Sequence, residues 1–229
     1  MLGAHGMLAA SSVTINFGHT LAKPTTSILV ILAATALSVA PSLLILMTGF
    51  VRILIVLGLT RQALGLSTTP PNQVLVGIAF FVSIFLMAPT LSQINHLALQ
   101  PYLHGAMSAS TAFRVGEVPL KTWMLKQTGI QELSLTQHIA HLPRLRPMST
   151  PLDAVIPAFL LSQLKSAFII GFVVFVPFMI IDLIVASTLM SMGVIMLPPT
   201  LVSLPFKILL FVLVNGWVLV MQTLVSSFR

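Results

Sequence analysis

Residues 189–207 read LMSMGVIMLPPTLVSLPFK, and the reading of this stretch decides the fold. Upstream, SAFIIGFVVFVPFMIIDLIVASTLM (166–190) is apolar enough to lie in lipid, and ILLFVLVNGWVLVMQTLVSSF (208–228) is so downstream. Between these two runs stand Gly193, Pro198, Pro199 and Pro205. Glycine weakens a helix, and proline removes a backbone donor and clashes with the preceding turn, so the helix is predicted to break here. Irregular backbone at membrane depth is tolerated only where protein or a water-filled cavity satisfies it. Two readings of the break follow. It is either a loop lining or closing a pore, with Val194, Ile195 and Met196 at its tip, or a small re-entrant turn with no gating role.

Composition places the rest of the chain in the same setting. Of its 229 residues 57% are hydrophobic and 7% charged, and the mean hydropathy is +1.06. So few charges cannot cover a water-facing surface, and the class is integral membrane protein. There is no cysteine, which excludes disulfides, thiol catalysis and cysteine metal sites. Eleven Lys and Arg face four acids, Glu117, Glu132, Asp153 and Asp182, for a net charge of +7. A basic excess on so apolar a chain suits anionic lipid headgroups better than nucleic acid. The N-terminal segment 1–26 lacks the basic start and continuous apolar run of a signal peptide, so the first apolar run is read as a retained span.

Working outward, the pattern predicts an all-α membrane protein. It has about four hydrophobic helical segments, some broken or kinked, and a polar helical insertion between the second and third. No alternation of the β-barrel kind appears. Residues 27–91 hold a first membrane helical pair, from Ser27 to Met47 with a kink at Pro41, and from Val74 to Leu91. Between them Arg52 and Arg61 are read as sharing one helical face, and TPPNQ (69–73) is a turn with Asn72 as a helix cap. Residues 92–165 hold four of the six His, six of the eleven basic residues and three of the four acids, and read as a polar helical domain. Residues 166–229 form a broken helical hairpin. Short loops carry the orientation signal. The basic 48–72 and 197–207 connections read cytoplasmic, which puts residues 92–165 and both termini outside.

The search for enzyme chemistry is nearly empty. There is no GxSxG, HExxH or phosphate-binding loop and no pair of carboxylates at helical spacing, so the chain reads as no enzyme and no cofactor is called for. His138 and His141 share a helical face but have no third ligand nearby, which reads as a solvated face rather than a metal site. Asp182 is the sharpest single residue, the lone charge between Phe168 and Met190. A carboxylate at the bilayer centre costs roughly 2.5–3.5 kcal/mol on insertion scales, so it faces protein or water. It is either a proton or ion relay or the structural partner of Lys165, Lys207 or Arg61. The lack of a second acid favours the pair. The methionines at 179, 190, 192 and 196 suit ordinary packing, but clustering beside a break suits a flexible apolar lining.

Several motifs in order resemble the FliP family. They are MTGFVRILIVLGLTRQALG (47–65) with TPPNQVLVGIAFF (69–81), WMLKQT (123–128), SQLKSAFIIGFVVFVPFMIIDLIVASTLMSMG (162–193) and LPPTLVSLPFKILLFVLVNGW (197–217). The resemblance runs from about residue 40 to the end, and RQALG leans flagellar rather than toward virulence-type relatives. It implies a pore-forming core subunit of the flagellar type III protein export gate, used in flagellum biogenesis. Unfolded flagellar subunits would pass through its centre across the bacterial inner membrane, at the flagellar basal body. It implies a homo-oligomer, a pentamer, joined by FliQ- and FliR-like subunits and other export-apparatus membrane proteins, with energy supplied elsewhere. It also implies that not every apolar segment ends in lipid.

The resemblance gives the break a role. The family's Met-rich triplet, which seals the resting pore, falls on Val194, Ile195 and Met196, flanked by Met190, Met192, Gly193, Pro198 and Pro199. Val and Ile are stiffer than Met, so the seal implied here has less give. Polar positions between helices or subunits are implied at Arg52, Arg61, Lys165, Asp182, Lys207 and Asn215. The family's usual DGW and SELK are NGW and SQLK here, so Asn215 and Gln163 stand where acids are common. The alternatives are a virulence-type export-gate subunit and a secondary transporter for a small solute, with the broken helix as its binding site.

Overall fold

A computed structural model of the chain describes residues 45–228 apart from Ile195, together with Ile28, Val30, Ile31, Ala34, Thr35 and Ser38. The segment 1–26, the Pro41 kink and most of the first expected span lie outside the described residues. The chain divides into two compact units, 1–41 and 42–229. In the first, the described residues are helical, and the Thr35 hydroxyl donates to the Ile31 carbonyl at 2.8 Å, as an apolar helix requires of its hydroxyls.

The second unit is helical, with no strand among the described residues. It comprises α1 (Phe50–Ala63), α2 (Asn72–Ile94) running through a π turn (Asn95–Leu99) into α3 (Gln100–Leu103), then α4 (Ala109–Lys126) and α5 (Ile130–Ile139). A 3-10 turn (Pro147–Ser149) leads into α6 (Leu152–Ser191), followed by α7 (Pro199–Leu213) and α8 (Gly216–Ser226). Among the described residues two helices are long and apolar enough to cross a membrane, Asn72–Leu103 and Leu152–Ser191. The α7–α8 pair, bent by 64°, makes a third if it counts as one span. The run 208–228 is thus not one helix. Its bend falls at Asn215, whose backbone is left-handed with φ 50°, a conformation that Asn tolerates better than most residues.

At 40 residues α6 is the spine. With a rise of 1.5 Å per residue it is about 60 Å long, twice the roughly 30 Å of a bilayer core. It therefore serves two cores. Ala167 and Phe178 join Ile53, Val56 and Leu57 of α1, Leu75 and Ala79 of α2, Phe211 of α7, and Val220 and Leu224 of α8. Its first turns give Val155, Ala158 and Phe159 to a second core with Met47, Met124 and Leu133. The boundaries drawn from composition at 91/92 and 165/166 fall inside α2 and α6.

α1 runs parallel to α6. Residues 49–52 lie at the level of α4 and its cap, whereas Ala63 lies by Lys207 and Asp182. Midway, a Cβ on Gly171 would collide with the Leu59 side chain, so the missing side chain is what lets these helices approach. Residues 50–63 of the 48–72 stretch are accordingly a packed helix, and the turn is confined to 64–71. Arg52 and Arg61 do not share a face, because nine residues make two and a half turns and put them half a turn apart. Arg52 is buried. Arg61 is half-buried at the other end of α1, donating to the Pro70 carbonyl at 3.1 Å and to Asn72 Oδ1 at 2.7 Å. Asn72 therefore serves Arg61 and makes no side-chain cap on α2.

Candidate gate loop and its polar supports

The break expected between Gly193 and Pro205 is confined to residues 192–198. α6 ends because Gly193 takes φ +72°, which a side chain would strain. The Gly193 N–H donates to Met190 O and the Val194 N–H to Leu189 O, each at 3.0 Å, the paired bonds of a Schellman end. Pro198 then stands before α7, and Pro199 opens it, where a missing N–H costs nothing. Pro205 lies within α7 and breaks nothing. Between these ends the loop points apolar atoms outward. Met196 is 97% exposed, Met190 and Met192 are exposed, and Val194 is half-buried. Ile195, the middle residue of the expected triplet, lies outside the described residues.

Below the loop, one charge pair ties the two sides of the break together. Asp182 of α6 accepts from Lys207 Nζ at 2.6 Å and from Ser203 Oγ at 2.5 Å. Lys207 also donates to the Ala63 carbonyl at 3.3 Å, near the end of α1. The lysine side chain is 5% exposed and the aspartate 34%. Of the three partners open to Asp182 in the sequence, the structure pairs it with Lys207. Arg61 is held by the 70–72 turn. Lys165 lies elsewhere, 57% exposed and bonded to Glu132 at 2.8 Å. That bond holds the Glu132 carboxyl below its ordinary value, helped by a backbone hydrogen bond.

Apolar grooves flank the hairpin. One of about 460 Å³ lies between α6 and α7, lined by Ile181, Ile184, Val185, Leu189, Val202 and Phe206. Another, of about 440 Å³, opens between Pro177 on α6 and Val214, Gly216 and Leu219 on the bent pair. Asn215 sits at that bend, and what it supplies is backbone shape, since its side chain makes no cap bond to α8. His138 and His141 are exposed at the end of α5.

Several supports were invisible in the sequence. Ser203 and Glu132 join charges 21 and 33 residues away. Arg52 reaches Ser227 across 175 residues. No local spacing signals such pairs. Gln163 is fully buried, and among the described residues neither end of its amide has a hydrogen-bond partner, nor does Nε of Arg52. The parallel register of α1 and α6 puts both residues at one level, beside Gln127 and Ser162.

Comparison with known proteins gives this geometry a family. The FliP family profile matches residues 33–224. The chain is 50% identical over 199 residues to "Flagellar biosynthetic protein FliP" of Bacillus subtilis, covering 86% of this chain and 90% of that protein. It is 48% identical over 206 residues to the protein of that name in Aquifex aeolicus, covering 89% and 86%. With the one in Caulobacter vibrioides it is 45% identical over 223 residues, covering 97% and 84%.

Proposed function

The chain belongs to the FliP family, and from that premise we propose that it is a pore-forming core subunit of the flagellar protein export gate. The relatives named above are flagellar biosynthetic proteins, so neither the virulence-type gate nor the small-solute transporter is favoured. In this reading the protein is a structural component of a membrane complex in the bacterial inner membrane. It passes the membrane more than once, with residues 92–165 on the outer side, and several copies, five as the resemblance implies, assemble with FliQ- and FliR-like subunits.

The observation that carries the gate reading is the loop 192–198. It is short, fixed at both ends by backbone geometry, and presents exposed apolar side chains at its tip. In a ring of copies such tips would meet on the axis and exclude water and ions by apolar contact. Met supplies side chains that deform around a passing chain. Lys207 and Asp182 hold the loop's two supports in register, and the open grooves beside α7 offer apolar surface for neighbouring subunits.

Replacing Val194 and Met196 together by glycine in the assembled gate tests this. The expected result is ion leakage through resting gates well above wild type, with unchanged amounts of complex. Leakage at the wild-type level would refute the assignment of the seal to this loop.

A further inference from the structure

At the end of α8 the chain enters a seat built from other elements. Ser227 and Phe228 follow α8 directly. Arg52 Nη1 donates to the carbonyl and to the hydroxyl of Ser227, each at 3.0 Å. Its guanidinium carbon lies 4.1 Å from the centre of the Phe228 ring, at the distance of a cation–π contact. The same ring stacks on Trp123 of α4, with centroids 6.5 Å apart and planes within 17°. Trp123 in turn leans on Phe159 of α6, at 5.4 Å.

Gly49 completes the seat. Its φ is −71°, a conformation open to any residue, so backbone freedom is not what a glycine supplies here. Space is. A Cβ at this position would stand 2.8 Å from Cε1 and 2.9 Å from Cζ of Phe228. The ring is held on three sides by a buried cation, an indole and a gap left by an absent side chain. On the same helix, near the end of α1, the Ala63 carbonyl receives Lys207 of α7. α1 therefore grips the bent pair near both of its ends, with the left-handed Asn215 between the two grips.

We propose that Phe228 is a latch residue, seated between Gly49, Arg52 and Trp123, that ties α8 to α1 and α4 and so positions the hairpin carrying the gate loop. The proposal rests on reading residues 192–198 as that loop. Phe228, Arg52 and Gly49 are positioning residues and touch no cargo.

A double-substitution cycle tests it in the membrane-assembled complex. Hydrogen exchange across residues 216–228 reports the seating of α8, and ion leakage reports the gate. Phe228→Ala and Gly49→Ala should each speed exchange there by about tenfold or more, because the end of α8 frays once its seat is lost. Together they should do no more than Phe228→Ala alone, since Gly49 matters only through the ring. Gln222→Ala, at an exposed position of α8 outside the seat, should stay near wild type and serves as the folding control. Both alanine variants should raise resting leakage severalfold. Unchanged exchange in Phe228→Ala, or additive effects in the pair, overturns the latch. Faster exchange with unchanged leakage overturns its positioning of the gate. The gate reading has its own test in the loop glycines.

Discussion

Asp182 shows how a single residue is constrained on this chain. A carboxylate in an apolar run needs a partner, and it has two, Lys207 and Ser203, on the helix beyond the break. Removing one member of a buried pair leaves the other charge uncompensated. Asp182→Asn should lower the stability of the extracted protein by about 3 kcal/mol, the low end for buried pairs because Asp182 keeps some exposure. Asp182→Asn combined with Lys207→Met should recover much of it, as denaturant melts of the two variants would show. A double variant less stable than the single one would deny the pair its structural role. Gln163 poses the opposite problem, a buried amide without partners at the level of a buried arginine. Gln163→Glu should raise stability by about 1–2 kcal/mol, since a charge-assisted bond to Arg52 replaces an unsatisfied group. A lower melting temperature would mean that the new carboxylate meets no cation. That Asp182 is special was legible from its isolation among apolar residues. Which lysine it meets was not, because a pairing across 25 residues is set by helix packing and leaves no periodic trace.

At the scale of elements, the breaks are decided by backbone chemistry and the joins by side chains. Gly193 and Pro198–Pro199 made the break between α6 and α7 legible, since both act through local rules. Pro205 misled because a proline inside a helix bends it without necessarily ending it. The bend at Asn215 does have a local signal, the Asn215–Gly216 pair, but apolar residues on both sides mask it within what reads as one continuous run. Composition likewise put a boundary at 165/166 where α6 runs straight through. What changes there is the neighbour: α5, clamped to α6 by Glu132 and Lys165 at 2.8 Å. With its folded-state pKa lowered, Glu132 adds stability that is present above its unfolded value and lost as pH falls through the folded one. The α5–α6 contact should therefore loosen as pH drops below about 4.3, the ordinary glutamate value. Hydrogen exchange in 130–139 should rise on acidification in the wild type and much less so in Glu132→Gln. Equal rises in both would place the acid sensitivity elsewhere.

Over the whole molecule, the unusual quantity is apolar surface that one chain does not bury. Phe81 and Phe85 on α2, Phe168, Phe172 and Leu183 on α6 and Leu213 on α7 all face outward, and two open grooves flank α7. Lipid can cover some of this, but α6 at about 60 Å is too long for lipid alone to cover all of it. On the gate reading proposed above, the remainder is covered by copies of the chain and by partner subunits, around an axis where the loops 192–198 meet. The most direct measurement is the mass of the detergent-extracted protein, expressed alone and then with FliQ- and FliR-like subunits. The expected result is a ring, about 120 kDa of protein for five copies of the 24.6 kDa chain, that captures those partners into one larger complex. A stable monomer or dimer that ignores them would contradict it.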